Sequence, residues 1–295
     1  MSRYIEKAGL DASGLIGPSD LPRALPYNLQ PRDFLRMVED LYQLLHDLNV
    51  RLDDRDYDRL EELLDPAGFS GLISRAVVDG VSKFSRALVK NRYHNGYPDL
   101  LPARTYPGDS TPHGDRGGLE VKASRSDTSW QSHGPRAGWF CVVQFEIDRD
   151  ETKAIRDREP TMVRAVMVAE LARDDWSWQP AAAGRMRSGT ASIKPVGRAK
   201  LRAGAVWVDP TYRGAHELRL TTERQAVFGE GAEGIVLEAL RQSGRPARAA
   251  ELAELVAPPA GLQAHDVKSR VTSALGRLVR AGSVRRIRPG VFEAI

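Results

Sequence analysis

Apolar residues at Phe34, Val38, Leu41, Leu45 and Leu48 recur every three or four positions behind Pro31, and this spacing predicts an amphipathic helix starting there. Leu60, Leu63 and Leu64 predict a second helix within 53–65, a segment with seven acids against two arginines whose expected role is packing or dimerisation. Ile73, Val77, Val81, Phe84 and Leu88 share one face of a third predicted helix, leaving Arg75, Lys83, Arg86 and Lys90 on the other as a basic stripe that could touch phosphates. Beyond position 90 the period changes. The runs 96–101, 117–123, 138–147 and 161–171 are short, rich in β-branched or aromatic residues and bounded by turn residues, so they predict four strands of one sheet. In the third, Trp139, Cys141, Val143, Phe145 and Ile147 fall on one side, with Gln144 and Glu146 opposite, expected to line the sheet edge. The fourth is apolar enough to be covered on both faces. Further short strands are expected near 191–196 and 205–210, and 173–200 is expected to elaborate the sheet rather than build its core. A turn is predicted at Gly229–Gly231, followed by three helices near 233–240, 247–256 and 264–282 and a hairpin around Arg288-Pro289-Gly290. The Gly- and Pro-containing residues 1–30 are expected to be an irregular lead-in.

Composition narrows the classes without choosing among them. A chain of 295 residues holds two domains, or one large core and a small appendage. No run approaches the ~18 apolar residues of a membrane span, and the first twenty residues lack the apolar segment of a signal peptide, so a cytoplasmic, non-membrane protein is expected. The single cysteine, Cys141, lies in an apolar run and reads as a small buried hydrophobe, which excludes a disulfide framework or a cysteine-based zinc site. The net charge of +4 is mild but unevenly distributed, since 264–295 carries seven basic residues against two acids.

The sharpest chemical signal is Pro98-Asp99, twenty intervening residues, then Glu120-Val121-Lys122. Residues two apart in a strand point to one face, so Glu120 and Lys122 project together. If the strand holding Asp99 pairs with theirs, two carboxylates share a cleft and offer hard oxygen ligands to Mg2+, with Lys122 placed to orient or deprotonate a water. Tyr97-Pro98-Asp99-Leu100-Leu101 and Leu119-Glu120-Val121-Lys122 resemble the two half-motifs of the PD-(D/E)XK nucleases. The resemblance covers roughly residues 70–170. It implies a restriction-endonuclease-like α/β core, a mixed central sheet flanked by helices, and Mg2+-dependent hydrolysis of DNA leaving a 5′-phosphate, with Mn2+ expected to substitute. Asp99 and Glu120 are then metal ligands and Lys122 the catalytic lysine. Many members carry another acid on the preceding helix; the candidate here, Asp79, sits opposite the apolar stripe and is not assigned that role. Among loop residues beside the pair, Ser124 and Gln131 are weaker active-site neighbours.

Three helices and a hairpin at the C-terminus suggest a winged helix. With Val267, Val271, Ala274, Leu275 and Leu278 buried, its last helix turns His265, Ser269, Thr272, Ser273 and Arg280 outward, joined by Lys268 as candidate contacts to double-stranded DNA. Arg285, Arg286 and Arg288 on the wing are expected to contact phosphates or the minor groove. The expected organisation is an N-terminal arm and helices over 1–67, a nuclease core over 68–229 and a winged helix over 230–295. A restriction endonuclease acting on a specific, methylated or unmethylated site is the leading expectation, working as a homodimer or by transient self-association. The alternatives are a winged-helix transcriptional regulator without catalysis and a repair or recombination nuclease that reads DNA structure.

Overall fold

The computed structural model describes residues 7–22, 24–132, 134–180, 189–256 and 264–295, without the side chains of 225–231, 255 and 264–266. They divide into two compact units, Met1–His216 and Glu217–Ile295.

In the first unit, α1 (Pro31–Asp53) opens with a proline at its first position, and the Asp33 carboxylate accepts from the Gln30 amide at 2.9 Å. The acidic segment forms only a short α2 (Leu60–Leu63). Its acids are consumed internally: buried Glu61 accepts from Asn49 Nδ2 at 3.0 Å and Thr161 Oγ1 at 2.7 Å, and Glu62 pairs with Arg59 and Arg158. Helix α3 (Pro66–Phe84) is capped by Asp65, whose carboxylate accepts from Gly68 N at 2.7 Å.

The strands are β1 (Leu88–Lys90), β2 (Leu100–Pro102), β3 (Leu119–Ser124), β4 (Gln131–Ser132), β5 (Gly138–Glu146), β6 (Met162–Leu171), β7 (Trp176–Gln179), β8 (Thr190–Ile193) and β9 (Ala205–Val208), with α4 (Pro195–Ala203) between the last two. Six make the central sheet in the order β1-β2-β3-β5-β6-β9. Only the β3–β5 pair is parallel, so the sheet is mixed, as expected for an α/β fold. One face packs Val121, Cys141, Val143 and Phe145 under Phe34, Met37 and Leu41 of α1 and Phe69, Ile73 and Val77 of α3. The lead-in belongs here too: Ile16 N donates to Val206 O at 3.0 Å and Leu15 bridges to Trp207, covering the open edge of β9.

The other face corrects two expectations. Phe140, Val142, Ala165 and Met167 are buried beneath Trp130, Trp176, Ile193 and Leu201, so the 173–200 elaboration helps to build a second core cluster, through α4 and through β7 and β8, which pair with β4 in a separate sheet. Gln144 accordingly lies on an interior strand, buried and donating to Tyr212 Oη at 2.9 Å, not at an edge.

A further correction concerns Gly229–Gly231, where α5 (Arg213–Gln242) continues as helix instead of turning. A helical glycine costs only about 1 kcal/mol, and this stretch contains no proline to stop the helix. The second unit adds β10 (Ala247–Arg248), α6 (Ala249–Leu255), α7 (Ala264–Arg280), β11 (Val284–Arg288) and β12 (Val291–Ala294), with an antiparallel sheet in the order β10-β12-β11. Val236, Leu240, Leu252, Val271, Leu275 and Phe292 form its core. Among the described residues no helix is long and apolar enough to cross a membrane.

Candidate active site

Strands β2 and β3 pair at Leu100–Leu119 and then part. Beyond that point β3 offers unpaired amides along one side, and side chains take them: Asp99 Oδ2 accepts from Val121 N at 2.9 Å, and Ser74 Oγ of α3 accepts from Ala123 N at 3.0 Å. Asp99 is thereby held at the level of Glu120. Glu120 and Lys122 do project together, and Lys122 Nζ donates to Glu120 Oε1 at 2.5 Å. The three residues of the sequence motif therefore meet at the frayed edge of β3.

Their charges are poorly balanced. Burial, and next the Glu120 carboxylate beside it, push the Asp99 carboxyl up to about 7, against the lowering pull of the Val121 N–H and Lys122. Glu120 itself is 5% exposed. Two carboxylates face one ammonium, an excess of negative charge that a divalent cation would relieve. Among the described residues no group of three or more His, Cys, Asp or Glu side chains gathers as a metal-ligand cluster. Asp99 and Glu120 are the two carboxylates that could offer oxygen ligands to a cation here.

Asn91 holds the Pro98-Asp99 segment in place. This buried amide donates to Pro98 O at 3.0 Å and Thr111 O at 2.9 Å, and accepts from the Tyr93 and Thr111 amides at 3.1 Å each. All four of its hydrogen-bonding positions are used. Asn91→Ala should lower stability by about 3 kcal/mol, because the buried backbone groups it serves lose their partners. Urea unfolding checks this, and a loss below about 1 kcal/mol would show that water takes over those bonds.

A cleft of about 280 Å3 opens beside the pair, lined by Ser70, Gly71, Ser74, Arg75, Val78, Asp99, Val121, Lys122 and Ala123. The basic stripe expected on one helix is divided, because α3 ends at Phe84: Arg75 and Lys83 lie on it, Arg86 follows it, and Leu88 and Lys90 belong to β1. Lys83 pairs with Asp40 at 2.6 Å and Lys90 with Asp79 at 2.7 Å, whereas Arg75 lines the cleft. Asp79 is taken up in that ion pair. Tyr97 lies next to the motif with its hydroxyl pushed up to about 12, by burial first and then by Glu120, and the Arg136 guanidinium stacks on its ring.

Ser74, Asn91, Tyr97 and Arg136 escaped the sequence reading as site residues. A signal existed only for the first: Ser70, Gly71 and Ser74 are a small-residue flank beside the apolar stripe of α3, where another backbone can approach. Of the weaker candidates, Ser124 caps a turn, donating to Ser126 O at 3.2 Å and accepting from Ser126 N at 3.0 Å. Gln131 is exposed on β4, in the small sheet rather than the central one.

In the second unit, Lys268, Ser269, Thr272, Ser273 and Arg280 are exposed on α7, opposite buried Val267, Val271, Ala274, Leu275 and Leu278. The His265 side chain lies outside the described residues. Arg285, Arg286 and Arg288 are exposed on β11, and Arg285 pairs with Glu293 at 2.6 Å. No protein-family model matches this chain, and no curated protein matches it.

Proposed function

We propose that the chain is a Mg2+-dependent DNA endonuclease, most closely a restriction-type enzyme, whose hydrolytic site is Asp99, Glu120 and Lys122. The observation that carries this reading is the meeting of two carboxylates and a lysine at an open strand edge, with Asp99 carrying an unrelieved electrostatic burden. Asp99 and Glu120 would hold the ion, which when bound acidifies a coordinated water and neutralises charge on the phosphate. Lys122, leaving Glu120 as the ion takes its place, would donate a hydrogen bond to the water or to a phosphate oxygen. The Val121 N–H keeps the Asp99 carboxylate facing the cleft, so that it need not reorganise when the substrate arrives. Incubation of the purified chain with Mg2+ and unmodified, adenine-methylated or cytosine-methylated DNA, followed by sequencing of the ends, tests the reading. Discrete fragments indicate a sequence-reading enzyme, and structure-dependent cuts a repair or recombination nuclease.

The helix, strand, helix, helix, strand, strand order of the second unit supports a winged helix that supplies DNA affinity, as do the exposed cations of α7 and β11. Arg286→Ala combined with Arg288→Ala should reduce the slope of log K against log salt by about 2, one counterion for each phosphate no longer neutralised. An unchanged slope would remove β11 from the interface. The 2.5 Å Glu120–Lys122 pair is also what a purely structural strand-surface ion pair looks like, which favours a regulator without catalysis. Tight binding of DNA that is never cut, modified or not, would select that second reading.

A further inference from the structure

One cation near the carboxylate pair has no part in the chemistry above. The Arg136 guanidinium carbon lies 4.0 Å from the centre of the Tyr97 ring. Its backbone is held at two consecutive carbonyls: Trp176 Nε1 donates to Arg136 O at 2.8 Å, and Tyr97 Oη donates to Ala137 O at 3.2 Å. Trp176 is itself buried against Phe140, with ring centres 5.3 Å apart. The residue is thus held at its backbone, with its guanidinium over the Tyr97 ring. Among the described residues, however, no carboxylate pairs with it, while Lys83, Lys90, Lys122 and Arg164 each have an acidic partner.

Two features of this arrangement point to a ligand. A guanidinium stacked through its face keeps its in-plane N–H groups directed outward, the fork that matches two oxygens of a phosphate. Tyr97 stands two residues before Asp99, and Arg136 stands two residues before β5, the strand that pairs with β3 at Glu120–Phe140, so the guanidinium over the Tyr97 ring is placed where both chain segments reach the acidic pair. A polyanionic strand approaching that pair is repelled by it, and only a cation not already neutralised by a partner can offset the repulsion.

We propose that Arg136, stacked on Tyr97 beside Asp99 and Glu120, is a substrate-binding residue that grips a backbone phosphate of the DNA at the hydrolytic site. This inference rests on the hydrolase reading. It assigns Tyr97 a positioning role, as the platform that aims the guanidinium.

The test compares Arg136→Met, which keeps an apolar stem on the ring, with Arg136→Lys, which keeps the charge. Binding of a fluorescein-labelled DNA duplex in EDTA is measured over a range of salt, together with steady-state cleavage in Mg2+. For R136M the slope of log K against log salt should fall by about 1 and KM rise about tenfold, with kcat changed less than about threefold. R136K should retain the wild-type slope. Thermal melts of both variants should match the wild type, since no ion pair is broken. A wild-type slope and KM in R136M would overturn the inference and leave the guanidinium a structural stack. That result leaves the hydrolase reading intact, because the latter stands or falls on cleavage lost with Asp99, Glu120 or Lys122. Conversely, a slope reduced in R136M by a protein that cuts no DNA would uphold the phosphate contact and remove the hydrolase.

Discussion

Asp99→Asn is expected to stabilise the metal-free protein by about 2 kcal/mol at pH 8 while leaving its stability at pH 4 nearly unchanged. The sign follows from the direction of the shift. Burial and the neighbouring Glu120 raise the folded-state pKa of Asp99 to about 7 from the ordinary 3.8, so the folded protein retains a proton that the unfolded chain releases. The stability tied to that proton is complete below about pH 4 and is lost as pH rises through 7. A neutral amide cannot lose it, and its oxygen can still accept from Val121 N. The full shift would correspond to about 4 kcal/mol, and partial access of solvent to the cleft reduces what the folded state bears. Mg2+ should raise the melting temperature of the wild type at pH 8 and have no such effect on D99N, because the ion relieves the same burden and displaces the same proton. Guanidinium unfolding across this pH range, with and without Mg2+, measures both effects. A stability difference that stays flat with pH would mean that Asp99 is comfortably ionised and that the pair is an ordinary surface feature.

Gly118→Ala should cost about 4 kcal/mol. Gly118 has φ +142, a conformation that L side chains rarely adopt, and an added Cβ would sit 2.3 Å from both Leu100 O and Pro98 Cγ. Its amide also donates to Tyr27 Oη at 2.6 Å, so the backbone cannot slide aside without losing that bond. The clash falls at the one place where β2 meets β3, and relief would push Asp99 away from Glu120. Gly108→Ala is the matching control: φ is +61 and nothing lies within 4 Å of the new atom, so about 1 kcal/mol is expected. Equal costs at the two positions would mean that the β2–β3 approach is not tight and that G118A acts through backbone strain alone.

The site was more legible in the sequence than its surroundings. Asp99, Glu120 and Lys122 could be placed together because strand periodicity is local and a register needs only two segments to pair. The helices α1 and α3 were visible for the same reason, as apolar positions at helical spacing, although the second of them was read through Leu88 and Lys90, which form β1. What stayed hidden depends on contacts distant in sequence. Nothing in the run around Gln144 says that α4 and the β4-β8-β7 sheet, built mostly from residues thirty or more positions later, will bury that face. Nothing next to Asn91 says that its amide will be completed by Pro98 and Thr111. Arg136 could not be told from any loop arginine until its stack on Tyr97, some forty residues earlier, was known. At Gly229–Gly231 the misreading was local: three glycines between 229 and 234 outweighed the absence of proline in a turn prediction, but not in the helix that forms.

The most direct measurement of the central claim is cleavage of supercoiled DNA by the purified chain with Mg2+, repeated in EDTA and with Asp99→Ala, Glu120→Ala and Lys122→Ala. The wild type is expected to cut, EDTA to stop it, and each substitution to slow the reaction by about 1,000-fold or more with folding intact. Cleavage by all three variants at the wild-type rate would contradict the assigned site.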